Sequence, residues 1–110
     1  MKLLNLTPHQ INLVTESGHL AIDPTGLARC QEVTISLGVL TVNGIEVPLT
    51  KKTFGEIVGL PERVPGVGYI VSAVVAQEAW AQGRTDVFCP GSPVRDSEGR
   101  IIGAECLCSC

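Results

Sequence analysis

The residues of this chain with the most interpretable chemistry lie between positions 65 and 83, where a glycine-rich turn leads into a helix pattern. A short β-branched run follows the turn, and then come Ser72 and regularly spaced apolar residues. A helix that begins there has unpaired backbone N–H groups and a partial positive charge, which suit an anionic ligand. Gly66 belongs to the turn that would shape such a site. Tyr69 would stack on a base or ribose, or else pack in the core with its hydroxyl at the rim.

Arginine side chains are the second candidate for anion binding, because the guanidinium fork matches phosphate and carboxylate. Four of them flank apolar segments: Arg29, Arg84, Arg95 and Arg100. We expect two of the four to face one pocket. Arg84 is also placed to pair with Asp86 at the surface. Arg95 has the same alternative with Asp96, and exposed pairs of this kind stabilise a fold little.

His9 follows Thr7 and Pro8, so its backbone is held stiffly by the proline. An imidazole held in this way could stack on a base, bond a phosphate or act as a general base. The structural alternative is a histidine that bonds a nearby carbonyl group and stiffens the bend.

Complete catalytic motifs are missing from the sequence. Ser72 lacks the Gly-x-Ser-x-Gly surround of a nucleophile elbow. A thiol–imidazole pair of His9 with Cys30 or Cys89 has no local signature. The glycines at 66 and 68 lack the third glycine of a dinucleotide fingerprint. These observations predict a binding protein rather than an enzyme, with no cofactor.

Cysteine usage predicts reduced thiols. The count of five is odd, and no apolar leader follows Met1, so we expect a cytoplasmic protein. Cys106, Cys108 and Cys110 would point to one side of a strand and, with Cys89, form a conceivable zinc set. A single residue between ligands is tight for one tetrahedral ion, so we predict no metal site.

Composition indicates one domain over residues 1–110 with a core of aliphatic side chains, since 45% of residues are hydrophobic and 4% aromatic. The formal charge of −3 argues against a nucleic-acid polymer as partner. No apolar run is long enough to cross a bilayer, so we expect no membrane partner.

The pattern of apolar runs predicts short strands and one helix over residues 72–82. Asn43-Gly44 is a strong signal for a two-residue hairpin turn. Residues 51–65 are expected to be a connection, and Pro90-Gly91 is expected to close a strand. The sum is an α+β fold, a small barrel or curved antiparallel sheet with the helix packed on it. The predicted strands cover residues 3–6, 11–14, 19–22, 27–37, 39–42, 45–49, 69–71, 86–89, 94–95 and 100–107. The first two are expected to form a strand pair or else one strand with a bend at Pro8.

Three motifs together resemble a family of small phage and bacterial proteins. They are Leu6-Thr7-Pro8-His9, the Pro-Gly-Val-Gly-Tyr-Ile-Val-Ser run of residues 65–72, and the segment of residues 89–103 with its Val-Arg-Asp-x-x-Gly-Arg-Ile-Ile-Gly core. The family looks like the compact proteins with which phages capture nucleotide immune signals, the sponges of the Sequestin or Lockin kind. Cys89 and the cysteine-rich tail depart from its pattern.

The resemblance implies a phage anti-defence protein in the host cytoplasm. Its ligand would be an ADP-ribose derivative or another signalling nucleotide, such as a cyclic one, bound without cleavage in a homo-oligomer. Ser72 at the helix start and the arginines would take the phosphates, while His9 and Tyr69 would hold the base or ribose. Two alternatives stay open: a small nucleotide-processing enzyme with His9 as base, and an interaction protein that blocks a host factor through the Asn43-Gly44 hairpin.

Overall fold

Strands dominate the computed structural model, which describes residues 1–109. One helix accompanies eight strands in this part of the chain, so the α+β, strand-dominated prediction is confirmed. The elements in chain order are β1 (Lys2–Asn5), β2 (Ile11–Thr15), β3 (Gly18–Ile22), β4 (Arg29–Val42), β5 (Ile45–Val58), β6 (Val67–Ile70), α1 (Ala73–Ala81), β7 (Val87–Arg95) and β8 (Ile101–Cys108).

Six strands form one curved sheet in the order β1-β6-β7-β8-β2-β3. Its two edges approach each other, because Asn5 at the end of β1 bridges to Pro24 just after β3. The sheet is therefore nearly closed, and the small-barrel prediction is confirmed. Pairing within it is mixed: β1, β6 and β7 run parallel, as do β2 and β8, while β7–β8 and β2–β3 are antiparallel.

The helix α1 packs its buried side, Val75, Ala76 and Ala79, on the sheet. The indole N–H of Trp80 donates to the Val87 carbonyl oxygen at 2.7 Å, which fastens the helix to β7. Gly83 lies just past the helix at φ +89°, a conformation that favours glycine. The predicted helix is thus present. In the described residues, no helix combines the length and apolarity that crossing a membrane requires.

The strands β4 and β5 form a separate two-stranded sheet, here called the ribbon. Asn43 and Gly44 join them with φ of +51° and +78°, as the predicted two-residue turn needs. Each strand is 14 residues long, which the sequence pattern did not predict. Residues 27–37 and 39–42 were expected as two strands, but β4 continues through an irregularity between Ser36 and Gly38. Residues 51–58 were expected in a connection and instead continue β5.

Two further predictions about pairing are wrong. The apolar runs at residues 3–6 and 11–14 neither pair with each other nor form one bent strand, since β1 pairs with β6 and β2 lies between β8 and β3. Pro90-Gly91 does not close a strand, because β7 continues past it and pairs Pro90 with Leu107. Both errors concern pairing between distant segments, which local turn signals do not encode.

Candidate functional site

The loop after β1 is held by the side chain of Asn5, which is fully buried. Its amide nitrogen donates to the carbonyl oxygens of His9 at 2.7 Å and Ile22 at 2.9 Å. Its amide oxygen accepts from the backbone N–H of Thr7 at 2.9 Å. The Thr7 hydroxyl lies 2.6 Å from that same oxygen and 2.9 Å from the His9 carbonyl oxygen, and its one proton serves one of them at a time. Asn5 therefore fixes the shape of the Leu6-Thr7-Pro8-His9 motif.

A cavity of about 280 Å³ lies where this loop meets the start of α1 and the base of the ribbon. We call it the helix-start cleft. Its size is near the lower end for small-ligand sites. The Leu6-Thr7-Pro8-His9 motif and the run of residues 65–72, which are far apart in the chain, both contribute residues to its lining. The residues that carry its chemistry are Thr7, Pro8, Arg29, Phe54, Ser72 and Val74.

The start of the helix is open at this cleft. Ser72 is exposed and has extended backbone angles (φ −65°, ψ 159°), and its hydroxyl makes no capping hydrogen bond. The first intrahelical hydrogen bond runs from the Ala76 N–H to the Ser72 carbonyl oxygen at 2.9 Å. The backbone N–H groups of the helix before Ala76 therefore have no carbonyl partner within the helix. No acidic residue lies in the first turn to offset their positive end.

Arg29 lines the same cleft. It is the first residue of β4, and it is exposed. Phe54 of the neighbouring strand and Val74 of the helix are also exposed, at 45% and 39%, and provide an apolar wall. The cleft therefore combines one arginine residue, one helix amino end and an apolar surface.

Comparison with known proteins gives this chain no family. No family model, no curated protein and no solved structure matches it. The chemistry of the cleft is therefore read from its own residues. A cation and a helix amino end favour an anionic group, and an apolar wall beside them favours a ligand that carries a flat or apolar part.

His9 and Gly66, two of the residues predicted for the site, line other cavities. His9 is exposed in a cavity of about 300 Å³ with Ile11 and Ile102. Gly66 turns at φ +79° beside a third cavity, which Phe88 also lines. The fold does not bring either residue into the helix-start cleft.

Tyr69 lies in the core, with 2% of its surface exposed. Its hydroxyl donates to the Glu62 carbonyl oxygen at 3.2 Å. Tyr69 is not accessible for stacking on a base or ribose in this arrangement, because it is buried in the core cluster that also contains the buried side of α1. The packing alternative describes its position.

Arg84 is held by a structural ion pair. Its guanidinium donates to the two carboxylate oxygens of Asp86 at 3.0 and 2.9 Å and to the Pro61 carbonyl oxygen at 2.9 Å. The hydrogen bond from Arg84 lowers the pKa of Asp86, and the same pair raises the pKa of Arg84. Arg84 therefore pairs with Asp86 as the alternative proposed, but the pair is largely buried rather than at the surface, and Arg84 is not among the residues that line the helix-start cleft.

Arg95 stands at the other end of β7 and donates to the Gly99 carbonyl oxygen at 2.8 Å. The carboxylate of Asp96 pairs instead with Arg100, at 3.2 Å. Backbone N–H groups of the turn, that of Arg100 first, lower the pKa of Asp96. Of the four arginines that flank apolar segments, Arg29 is the one that lines the cleft, so the expectation that two of them share this pocket is not met.

The cysteines lie mainly at the β7–β8 pair, where Cys89 is opposite Cys108 and Gly91 opposite Cys106. Among residues 1–109, no three histidine, cysteine or acidic side chains are grouped as metal ligands would be. Cys110 lies outside the described residues. Cys30 lines the helix-start cleft, where burial and, to a smaller extent, Glu78 raise the pKa of its thiol.

Proposed function

We propose that this protein binds a small nucleotide-type anion in the helix-start cleft and does not transform it. In this role it would act as a phage anti-defence protein that sequesters a nucleotide immune signal, an ADP-ribose derivative or a cyclic nucleotide, in the cytoplasm of the host. The binding unit would be a homo-oligomer. The observation that carries the proposal is the meeting of Arg29, the open start of α1 and an apolar wall in one cavity.

The charge of the cleft supports an anionic ligand. Arg29 offers a fork of N–H donors, and the start of α1 offers backbone N–H groups with no acidic side chain in the first turn. The loop with Thr7 and Pro8 forms the facing wall and is fixed by the buried Asn5. A rigid wall lowers the entropy cost of ordering the site around its ligand.

Two features of the described residues support binding without catalysis. The raised pKa of Cys30 keeps its thiol protonated, which disfavours it as a nucleophile. His9, the base of the enzymatic alternative, lines a different cavity from Cys30. The cleft therefore has donors that can hold an anion, and it has no imidazole among its lining residues to activate one.

Titration calorimetry with ADP-ribose and with a cyclic dinucleotide tests the proposal. We expect one of these probes to bind and to be released chemically intact on heating, as mass spectrometry would show. Arg29→Ala should weaken that binding by about 1.5–3 kcal/mol, the usual contribution of a hydrogen bond to a charged group.

Arg95→Ala is the matched control, because it removes the same side chain from an exposed turn outside the cleft. It should leave the affinity unchanged. The proposal is refuted if the wild-type protein binds neither ADP-ribose nor the cyclic dinucleotide. Release of an altered nucleotide would favour the enzymatic alternative. If Arg95→Ala weakens binding as much as Arg29→Ala does, the helix-start cleft is not the binding site.

A further inference from the structure

The ribbon of β4 and β5 has one apolar face that the rest of the described chain leaves uncovered. Residues paired across the two strands share a face, and faces alternate along each strand. On one side, here called the apolar face, seven of the ten paired positions between residues 33 and 53 are aliphatic, and these seven are 39–66% exposed. Its aliphatic residues are Val33, Ile35, Leu40, Val42, Ile45, Val47 and Leu49.

The opposite face is mostly polar, and its apolar exceptions are Val39 and Pro48 near the tip and Phe54 at the base. The ion pair of Lys52 with Glu32, at 3.0 Å, lies on this side. Polar residues complete it: Thr34, Ser36, Thr41, Glu46 and Thr50. An antiparallel sheet with this alternation is typical of one that packs its apolar side against another layer and leaves the other side in water.

The ribbon extends away from the barrel. Fourteen residues at about 3.4 Å each make a strand of roughly 45 Å, and the longest dimension of the molecule is 58 Å. The radius of gyration is 17.7 Å, whereas a compact chain of this size has about 13 Å. A two-stranded hairpin is marginally stable in water without a second layer. The apolar face therefore needs a cover that one copy of the described chain does not provide.

We propose that the apolar face is a self-association surface and that its cover is the same face of a second copy of this chain. The seven exposed residues present on the order of 600 Å² per copy, so two faces would bury about 1,200 Å², the lower limit for a stable interface. Two such faces would stack as the layers of a small β-sandwich.

The charges of the ribbon favour a second copy over a charged partner. Lys51, opposite Ile35, is the one ionisable residue among the paired positions of the apolar face. Glu32 and Lys52 on the other face already neutralise each other. In a two-fold arrangement centred near Leu49, the two Lys51 residues lie on opposite sides of the axis and do not meet. The surface complementary to this face is largely aliphatic, and the same face of a second copy, where Lys51 is the one ionisable residue among the paired positions, has that property.

Sedimentation velocity of the full chain, from low to high micromolar concentration, tests this pairing. We expect the wild type to sediment as a dimer or a larger even-numbered assembly. Leu40→Lys places a charge in the apolar face and should weaken association at least about tenfold. Thr41→Lys is the matched control, since it adds the same charge at the next position on the opposite face. It should sediment as the wild type does.

Val47→Thr keeps the β-branched shape, and it should weaken association in the same direction with little effect on the ribbon itself. Circular dichroism of each variant shows whether the fold is retained. A wild type that stays monomeric at high micromolar concentration overturns the proposal. Equal effects of Leu40→Lys and Thr41→Lys also overturn it, as does a dimer that neither substitution weakens. The pairing does not depend on nucleotide binding at the cleft.

Discussion

Replacing Asn5 by alanine should destabilise the whole barrel, because this one side chain of β1 hydrogen-bonds two separate stretches of backbone. It bonds the loop at Thr7 and His9 and the end of β3 at Ile22. It also lies where the two edges of the sheet meet, at the bridge to Pro24. Its side chain is fully buried, so water cannot replace the lost amide without entering the core.

The magnitude follows from the partners that the substitution leaves behind. The Thr7 N–H and the Ile22 carbonyl oxygen lose the hydrogen bonds that Asn5 makes to them, whereas the His9 carbonyl oxygen can still accept from the Thr7 hydroxyl. An unsatisfied buried group costs about 1–3 kcal/mol. Two such groups give a loss of roughly 2–6 kcal/mol, a large part of the roughly 5–15 kcal/mol that stabilises a typical domain.

Urea unfolding followed by the fluorescence of Trp80, the one tryptophan of the chain, measures this loss. Asn12→Ala is the control, because the Asn12 amide makes a single exposed hydrogen bond of 3.4 Å to Ile102. We expect a change below about 0.5 kcal/mol for it. If Asn5→Ala unfolds within that same margin of the wild type, the assignment of Asn5 as the link that closes the barrel is refuted.

The remaining predictions concern the Arg84–Asp86 pair and two glycines. Because the folded state lowers the pKa of Asp86, the pair stabilises the fold above about pH 4 and the contribution is lost as the pH falls through the lowered pKa. Asp86→Asn should flatten this acid part of a stability–pH profile measured by urea unfolding, and a profile identical to the wild type would contradict the reasoning. Gly59 and Gly83 have φ of +90° and +89°, but a Cβ at Gly59 would overlap the Leu27 carbonyl oxygen, whereas Gly83 has open space. Thermal unfolding should show about 1–2 kcal/mol lost for Gly83→Ala and clearly more for Gly59→Ala; equal losses would exclude the overlap as the cause.

Local signals in the sequence were sufficient for the helix and for the hairpin turn. Ser72 and Gly83 mark the ends of an apolar stripe that becomes α1, because capping and the left-handed stop are decided by neighbouring residues. Asn43 and Gly44 specify their turn for the same reason. The strand-dominated class also followed from the spacing of short apolar runs.

Strand partners and the membership of the cleft were decided by the tertiary structure. Nothing near β1 in the sequence indicates that it pairs with β6, more than 60 residues later. Arg29 and Ser72 were both predicted as ligand-binding residues, and the fold brings them to one cavity. Tyr69 and Arg84 were predicted with the same chemistry, yet packing and an ion pair occupy them. Side-chain type shows what a residue can bind, whereas only the folded chain decides what it faces.

The importance of Asn5 and the amphipathic ribbon were missed, although both have signals in the sequence. An asparagine two residues before Thr7 is placed to hydrogen-bond that residue's backbone, a typical local motif. The alternation of apolar and polar residues in β5 marks a one-sided sheet. Residue type and a period of two in the sequence by itself indicate most of the strands and which of their faces are apolar, although residues 51–58 were assigned to a connection and continue β5. What covers each face depends on contacts between distant segments or between copies, and only the tertiary structure shows that the apolar face of the ribbon is left exposed.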